Sequence, residues 1–155
     1  MHLADFITLD RILPEMQSTG KQEAIGELAA LVCGDRAAKL CCEIARVLSD
    51  RERLASTAIG DEIAIPHGKL DGVSRLEIAV ARSRAGIDFE SVDGRPTRLF
   101  FVLVAAGDAT ALHLKALARI SRLCKEPLFR SQLLGAAGAE EMHRVLCAED
   151  AKFHT

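Results

Sequence analysis

Leu99-Phe100-Phe101-Val102-Leu103-Val104 is an unbroken apolar run that continues through Ala105 and Ala106 to Gly107. In a strand with one wet face, apolar and polar residues alternate, because successive side chains point to opposite sides. This run has no alternation and is rich in Phe and β-branched residues, so it reads as a central strand covered on both faces. Helices must then lie on either side of the sheet. The run also falls far short of the roughly 20 residues a membrane span needs, so no membrane insertion is expected.

Working outward on the N-terminal side, 76–81 and the short run 63–65, stopped by Pro66, read as further strands separated by Gly-containing turns. The connections near 71–75 and 92–96 are too short for parallel crossovers, which predicts a mixed sheet. Earlier still, Ile25, Leu28, Ala29 and Val32 repeat at helical spacing between Ser18-Thr19-Gly20 and Gly34, predicting a helix over 20–33. Asp35 is the expected cap of a second helix with Leu40, Ile44, Val47 and Leu48 on its buried stripe, ended by the polar run 49–53. On the C-terminal side, Asp108 and Thr110 offer N-caps to a helix that carries His113, Leu117, Ile120 and Cys124 on one face. Two shorter helices follow near 126–134 and 139–147, with Gly135 and Gly138 between them, and the last few residues are expected to fray. The expectation is a single α/β domain over 1–155, a mixed β-sheet sandwiched between helices on both faces, with an ordered core of about 5–148.

Composition narrows the function. With 155 residues, 49% hydrophobic and 27% charged, the chain can bury its own core, and a formal charge of −2 gives no general attraction to nucleic acid. Trp and Tyr are absent, which removes the usual stacking platforms for bases and sugar rings. The opening 1–10 lacks a charged-then-apolar leader, so a cytoplasmic protein is expected. Its five cysteines, Cys33, Cys41, Cys42, Cys124 and Cys147, are odd in number and fall on helical segments; reduced thiols assigned to packing are the expectation. Adjacent Cys41-Cys42 lack the two-residue gap of redox or zinc motifs, and His2, His143 and His154 are not at metal-site spacing, so no metal is expected. Gly60 and Gly68 form no nucleotide loop, so no cofactor is expected and ATP is not the expected donor.

The chemistry concentrates in Arg51-Glu52-Arg53-Leu54-Ala55-Ser56-Thr57-Ala58-Ile59-Gly60-Asp61-Glu62-Ile63-Ala64-Ile65-Pro66-His67-Gly68-Lys69. Pro66 biases Ile65 toward an extended backbone and fixes its own φ, so the position of His67 is set by the chain. Gly68 lacks a Cβ and is expected to let a phosphoryl group or another protein approach. A neutral imidazole is nucleophilic near pH 7 and forms a labile N–P bond, which suits reversible phosphoryl transfer. Donors for the phosphoryl oxygens are available in Ser56, Thr57, Arg51 or Arg53, Lys69 and His113. With Thr110 as N-cap, His113 would be the N3 residue, where a helix N-terminus favours a dianion. Each residue has a plainer reading as well: a turn residue for His67, a cap for His113, a solvated helix end for Arg51, a capped turn for Ser56 and Thr57.

Glu52, Ile59-Gly60 and Ile63-Ala64-Ile65-Pro66-His67-Gly68 resemble the active-site signature of the fructose/mannitol-type enzyme IIA domains of the bacterial phosphotransferase system, and Arg51-Glu52 and Ser56-Thr57 resemble that family's upstream residues. The likeness covers nearly all of the chain, through the His113-Leu114 helix start to the C-terminal helices. It implies a mixed sheet between helices, phosphorylation of His67, a role for His113 in holding the phosphoryl group, and Arg51 near the site. The opening Ile7-Thr8-Leu9-Asp10-Arg11-Ile12-Leu13, with Ile63 to Leu70, looks most like the nitrogen-regulatory branch, and the chain is expected to stand without a fused permease. It departs from common forms of that branch at Ala55, Ala58 and Glu62, where glycine often occurs.

The resemblance therefore implies a phosphotransferase that acts as a covalent intermediate. An HPr-like phosphocarrier would be the donor, and regulatory targets such as potassium transporters or sensor kinases would read its phosphorylation state. The alternative is a sugar-transport component that passes phosphate to a IIB domain.

Overall fold

The computed structural model describes residues 1–152. The chain runs β1 (Ile12–Leu13), α1 (Lys21–Cys33), α2 (Ala38–Leu54), β2 (Ala58–Gly60), β3 (Ile63–Ala64), β4 (His67–Lys69), β5 (Glu77–Ile87), β6 (Thr97–Ala105), α3 (Thr110–Leu123), α4 (Pro127–Gly135) and α5 (Ala139–Asp150), with short 3-10 turns before β1. The strand order is β1-β5-β6-β3-β2, and β4 also pairs with β6. Strand β6 is the centre: antiparallel to β5, with Ile78 opposite Leu103, and parallel to β3 and β4, with Ile63 opposite Leu99 and His67 opposite Leu103. His154 and the expected fraying end lie outside the described residues.

The apolar run behaves as its lack of alternation requires. Leu99, Phe101, Leu103 and Ala105 enter one core, with Ala116 and Ile120 of α3, Phe129 and Leu133 of α4, and Met142 and Leu146 of α5. Phe100, Val102 and Val104 enter the other, with Ala24, Ile25 and Leu28 of α1 and Ile44 and Leu48 of α2. One strand thus seeds two cores, and the sheet is mixed and covered on both faces. Among the described residues no helix is long and apolar enough to cross a membrane.

Several local expectations are corrected. Asp35 does not cap α2, whose N-cap is Ala37 with no side-chain bond. The neighbouring Arg36 instead closes the end of α1, donating to the Val32 and Cys33 carbonyls at 2.9 Å, and grips Glu77 of β5 at 2.7 and 3.0 Å. Of the three departures from glycine, Ala55 is extended, with φ −172°. Glu62 is left-handed at φ +67° beside Asp61 at +55°, in the tight β2–β3 turn. A side chain there costs roughly 1–2 kcal/mol, and Glu62 offsets part of it by ion pairs with Arg95 at 2.9 Å and Arg98 at 3.4 Å.

The cysteines are not all reduced. Gly34, at φ +65°, reverses the chain and brings the first turn of α2 beside the last turn of α1, so that Cys33 and Cys41 are joined in a disulfide with Cα atoms 5.2 Å apart. Reading each helix by its own periodicity does not reveal that the two positions face each other. Buried Cys124, whose thiol is pushed up to about 12 by burial, fits the packing assignment, while Cys42 is a free exposed thiol. Closing so short a loop stabilises by roughly 2–3 kcal/mol. Dithiothreitol should therefore lower the melting temperature by about 5–10 °C. Equal melts with and without reductant, in the parent and in Cys41→Ser alike, would refute the bridge.

Candidate functional site

Strands β3 and β4 lie in succession along the same edge of β6, joined by Ile65-Pro66. Pro66 has no N–H to lose at this joint; its carbonyl accepts the Leu103 amide at 3.0 Å, and the Ile65 amide donates to the Thr57 carbonyl at 3.0 Å. The backbone on both sides of the proline is fixed, and His67 emerges half-buried at the start of β4. Its Nδ1 lies 2.7 Å from the Ile65 carbonyl oxygen. A carbonyl only accepts, so Nδ1 carries the proton and the lone pair of the neutral ring is on Nε2. Burial holds the imidazole below its ordinary value and the Arg51 charge lowers it further, against the Ile65 hydrogen bond and Glu52.

The second histidine meets the first. The rings of His67 and His113 stand edge to face, with centroids 5.3 Å apart and planes at 66°. His113 is 5% exposed, and its buried Nε2 has no hydrogen-bond partner. Burial, followed by the charges of His67 and Lys69, pushes it down to about 4, so it is neutral at physiological pH. Its helix position differs from expectation. Ala109 is the N-cap, α3 opens on Thr110, and the His113 amide already donates to the Ala109 carbonyl at 3.0 Å. Only its ring is available to a ligand. Thr110, in place of capping, accepts Lys69 Nζ at 2.7 Å.

These groups border an open cleft of about 450 Å³, to which α2 contributes Val47, Asp50, Arg51 and Leu54, and β4 contributes His67, Gly68 and Lys69 beside His113 of α3. Arg51 donates to the Ala55 carbonyl at 2.9 Å, which ties it to the end of its helix. Leu54 of this lining is 81% exposed. Gly68 has a packing reason as well: a Cβ there would stand 3.2 Å from Val47 Cγ2 and 3.4 Å from the Val47 carbonyl carbon, so the missing side chain admits helix α2.

The structure brings His67, His113, Arg51, Gly68 and Lys69 together; Ser56 and Thr57 are not in the cleft lining. Ser56 donates to the Phe89 carbonyl at 2.6 Å, and the Thr57 hydroxyl donates to Glu52. Glu52, which opens the signature that carries the resemblance but has no role of its own in the sequence reading, is buried there. Among the described residues no group of three His, Cys, Asp or Glu could hold a metal ion.

Fold and site define an α/β protein with paired histidines at the edge of a mixed sheet. The family described as "Phosphoenolpyruvate-dependent sugar phosphotransferase system, EIIA 2" matches residues 5–148, and the chain belongs to it, as a phosphotransfer component. It is 39% identical to a nitrogen regulatory protein of Bradyrhizobium diazoefficiens over 97% of this chain and 98% of that one. It is 35% identical to the fructose-specific EIIABC component of Bacillus subtilis over 97% of this chain but only 24% of that longer protein. The crystal structure of the nitrogen regulatory protein IIA-Ntr from Neisseria meningitidis superposes with a TM-score of 0.86 at 28% identity, covering 93% of this chain and 98% of that one.

Proposed function

We propose that this protein is a nitrogen-regulatory EIIA that accepts a phosphoryl group on His67 Nε2 from a histidine-phosphorylated HPr-like carrier in the cytoplasm. The observation that carries the reading is the Nδ1–H bond to the Ile65 carbonyl, which leaves Nε2 as the basic nitrogen of a ring that stands beside His113, whose buried Nε2 lacks a partner. The lone pair of Nε2 attacks phosphorus as the donor's N–P bond breaks, and the donor nitrogen recovers its electron pair. No proton need change place. The incoming oxygens have His113, Lys69 and Arg51 as candidate donors, which act by position and charge because phosphoryl transfer asks little else of a protein. Ser56 and Thr57 take part only through the backbone they hold, while Gly68 lines the cleft and admits α2.

Regulation is favoured over transport because the nitrogen regulatory relative matches end to end. A phosphohistidine adds roughly two negative charges in the cleft that exposed Leu54 also lines, enough to alter docking of a partner such as a potassium transporter or sensor kinase. The fructose-specific relative supports a second reading, transfer onward to a IIB domain; incubation of the phosphorylated protein with a fructose-type IIB domain separates the two. The primary test is intact mass after incubation with phosphoenolpyruvate, enzyme I and HPr. The mass of one phosphoryl group should be gained and then lost in acid. No gain, or an acid-stable one, would refute the proposal.

A further inference from the structure

The residue after Arg51 turns away from the cleft into the protein. Glu52 is 6% exposed; it accepts the Thr57 amide at 3.2 Å on each oxygen, accepts the Thr57 hydroxyl as well, and lies 3.0 Å from Lys21 Nζ. Lys21 in turn rests over the Phe89 ring, 4.8 Å from its centroid, and Ser56 donates to the Phe89 carbonyl at 2.6 Å. Helix α1, helix α2, the 56–57 corner and the 89 loop are therefore closed into one ring of contacts, with Glu52 as its only carboxylate inside the protein.

Thr57 carries that constraint to the cleft. Its carbonyl accepts the Ile65 amide at 3.0 Å, and the Ile65 carbonyl accepts the Nδ1 proton of His67 at 2.7 Å. Burying a carboxylate costs several kcal/mol even when it is well bonded. A neutral amide oxygen could cap the Thr57 N–H without that penalty, so capping alone does not account for the charge. The carboxylate accepts from amide and hydroxyl together while pairing with Lys21, which an amide cannot do, since its second atom is itself a donor.

We infer that Glu52 is a positioning residue for phosphoryl acceptance: through Thr57 it fixes the Ile65 carbonyl that holds the Nδ1 proton, and so keeps the Nε2 lone pair of His67 free for the phosphoryl group. This rests on His67 being the acceptor. The charged and titratable groups that line the cleft or act on the ring are Asp50, Arg51 and Glu52 from α2, Lys69 from β4 and His113 from α3. Only Glu52 among them both raises the ring's basicity and reaches its hydrogen-bond partner.

Nitrogen NMR of isotope-labelled His67 reads the tautomer without any phosphoryl transfer. The parent should show the Nδ1–H form alone. Glu52→Ala should show both tautomers, a lower His67 titration midpoint, and an initial rate of uptake from phosphorylated HPr reduced about 10- to 100-fold. Glu52→Gln, which keeps one acceptor oxygen, should restore the tautomer more fully than the midpoint. If Glu52→Ala does not fold, Thr57→Val and Glu52→Gln carry the same measurements. Folded variants that keep the parent's single tautomer and midpoint would overturn the inference. A parent with the Nδ1–H form and no phosphoryl uptake would instead overturn the function proposed above.

Discussion

His67→Ala is expected to take up no phosphoryl group from phosphorylated HPr, while melting close to the parent. The side chain is half-buried at a strand start and makes one hydrogen bond, to its own Ile65 carbonyl, so its removal takes little from the core. It takes away the acceptor, and the cleft's other imidazole, His113, is 5% exposed, too buried to meet the phosphohistidine of a donor protein. His113→Ala should differ in kind. It keeps the acceptor and loses the ring proposed to hold the phosphoryl oxygens, an effect of about 10²–10³ in rate, with the final mass gain unchanged. Full uptake by His67→Ala would move the acceptor elsewhere and remove the basis of the proposed chemistry.

The same two rings set the pH dependence. Burial and Arg51 hold His67 below 6.5, so its nucleophilic neutral form persists to lower pH than that of a free imidazole. Uptake should be full above 6.5 and fall only as the pH drops through the lowered folded value. His113 acts on stability. The unfolded chain binds a proton near 6.5, whereas folded His113 refuses one until about 4, so stability is full above 6.5 and declines as the pH falls from 6.5 toward 4.

Much of this was legible in the chain because it depends on local pattern. The unalternating run 99–104 required a strand buried on both faces, and Pro66 before His67 required a backbone-fixed imidazole. What was not legible depends on which distant segments meet. Strand β1 has two residues and β2 and β4 three each, too short for any period, and they exist because β5, β3 and β6 respectively give them an edge to pair with. Cys33 with Cys41, Gly68 with Val47, and Glu52 with Thr57 and Lys21 are likewise contacts between elements, which composition and spacing within one element do not encode. The reading of β5 stopped at Ala81, because Arg82-Ser83-Arg84 looks like the end of a strand; the strand goes on to Ile87 with Arg82 wholly buried.

Arg82→Ala should lose about 3–5 kcal/mol, the largest stability effect expected of a polar residue here. The Arg82 guanidinium is 0% exposed and forms no ion pair among the described residues; Nε donates to the Pro14 carbonyl at 3.0 Å and Nη1 to Leu133 and Ala136 at 2.8 Å and to Leu134 at 3.3 Å, while Nη2 has no partner. Two of those carbonyls belong to the last turn of α4, the negative end of its dipole, so peptide groups take the place of a counter-ion. Burial, and then Arg84, lower its pKa, yet an arginine remains charged throughout the physiological range. Truncation would leave a cavity and strand these acceptors without water. Arg82→Lys should recover little, since one ammonium cannot serve the Pro14 carbonyl and the end of α4 together as the planar fork does. Urea unfolding at unchanged m-value is the measurement, and a loss below about 1 kcal/mol would show that the carbonyls find other donors. Arg82 lies on β5, separated by β6 from the strand that carries His67. The molecules that remain folded should therefore accept phosphate at the parent's rate, which distinguishes a clamp on the α4–α5 connection from a part of the reacting cleft.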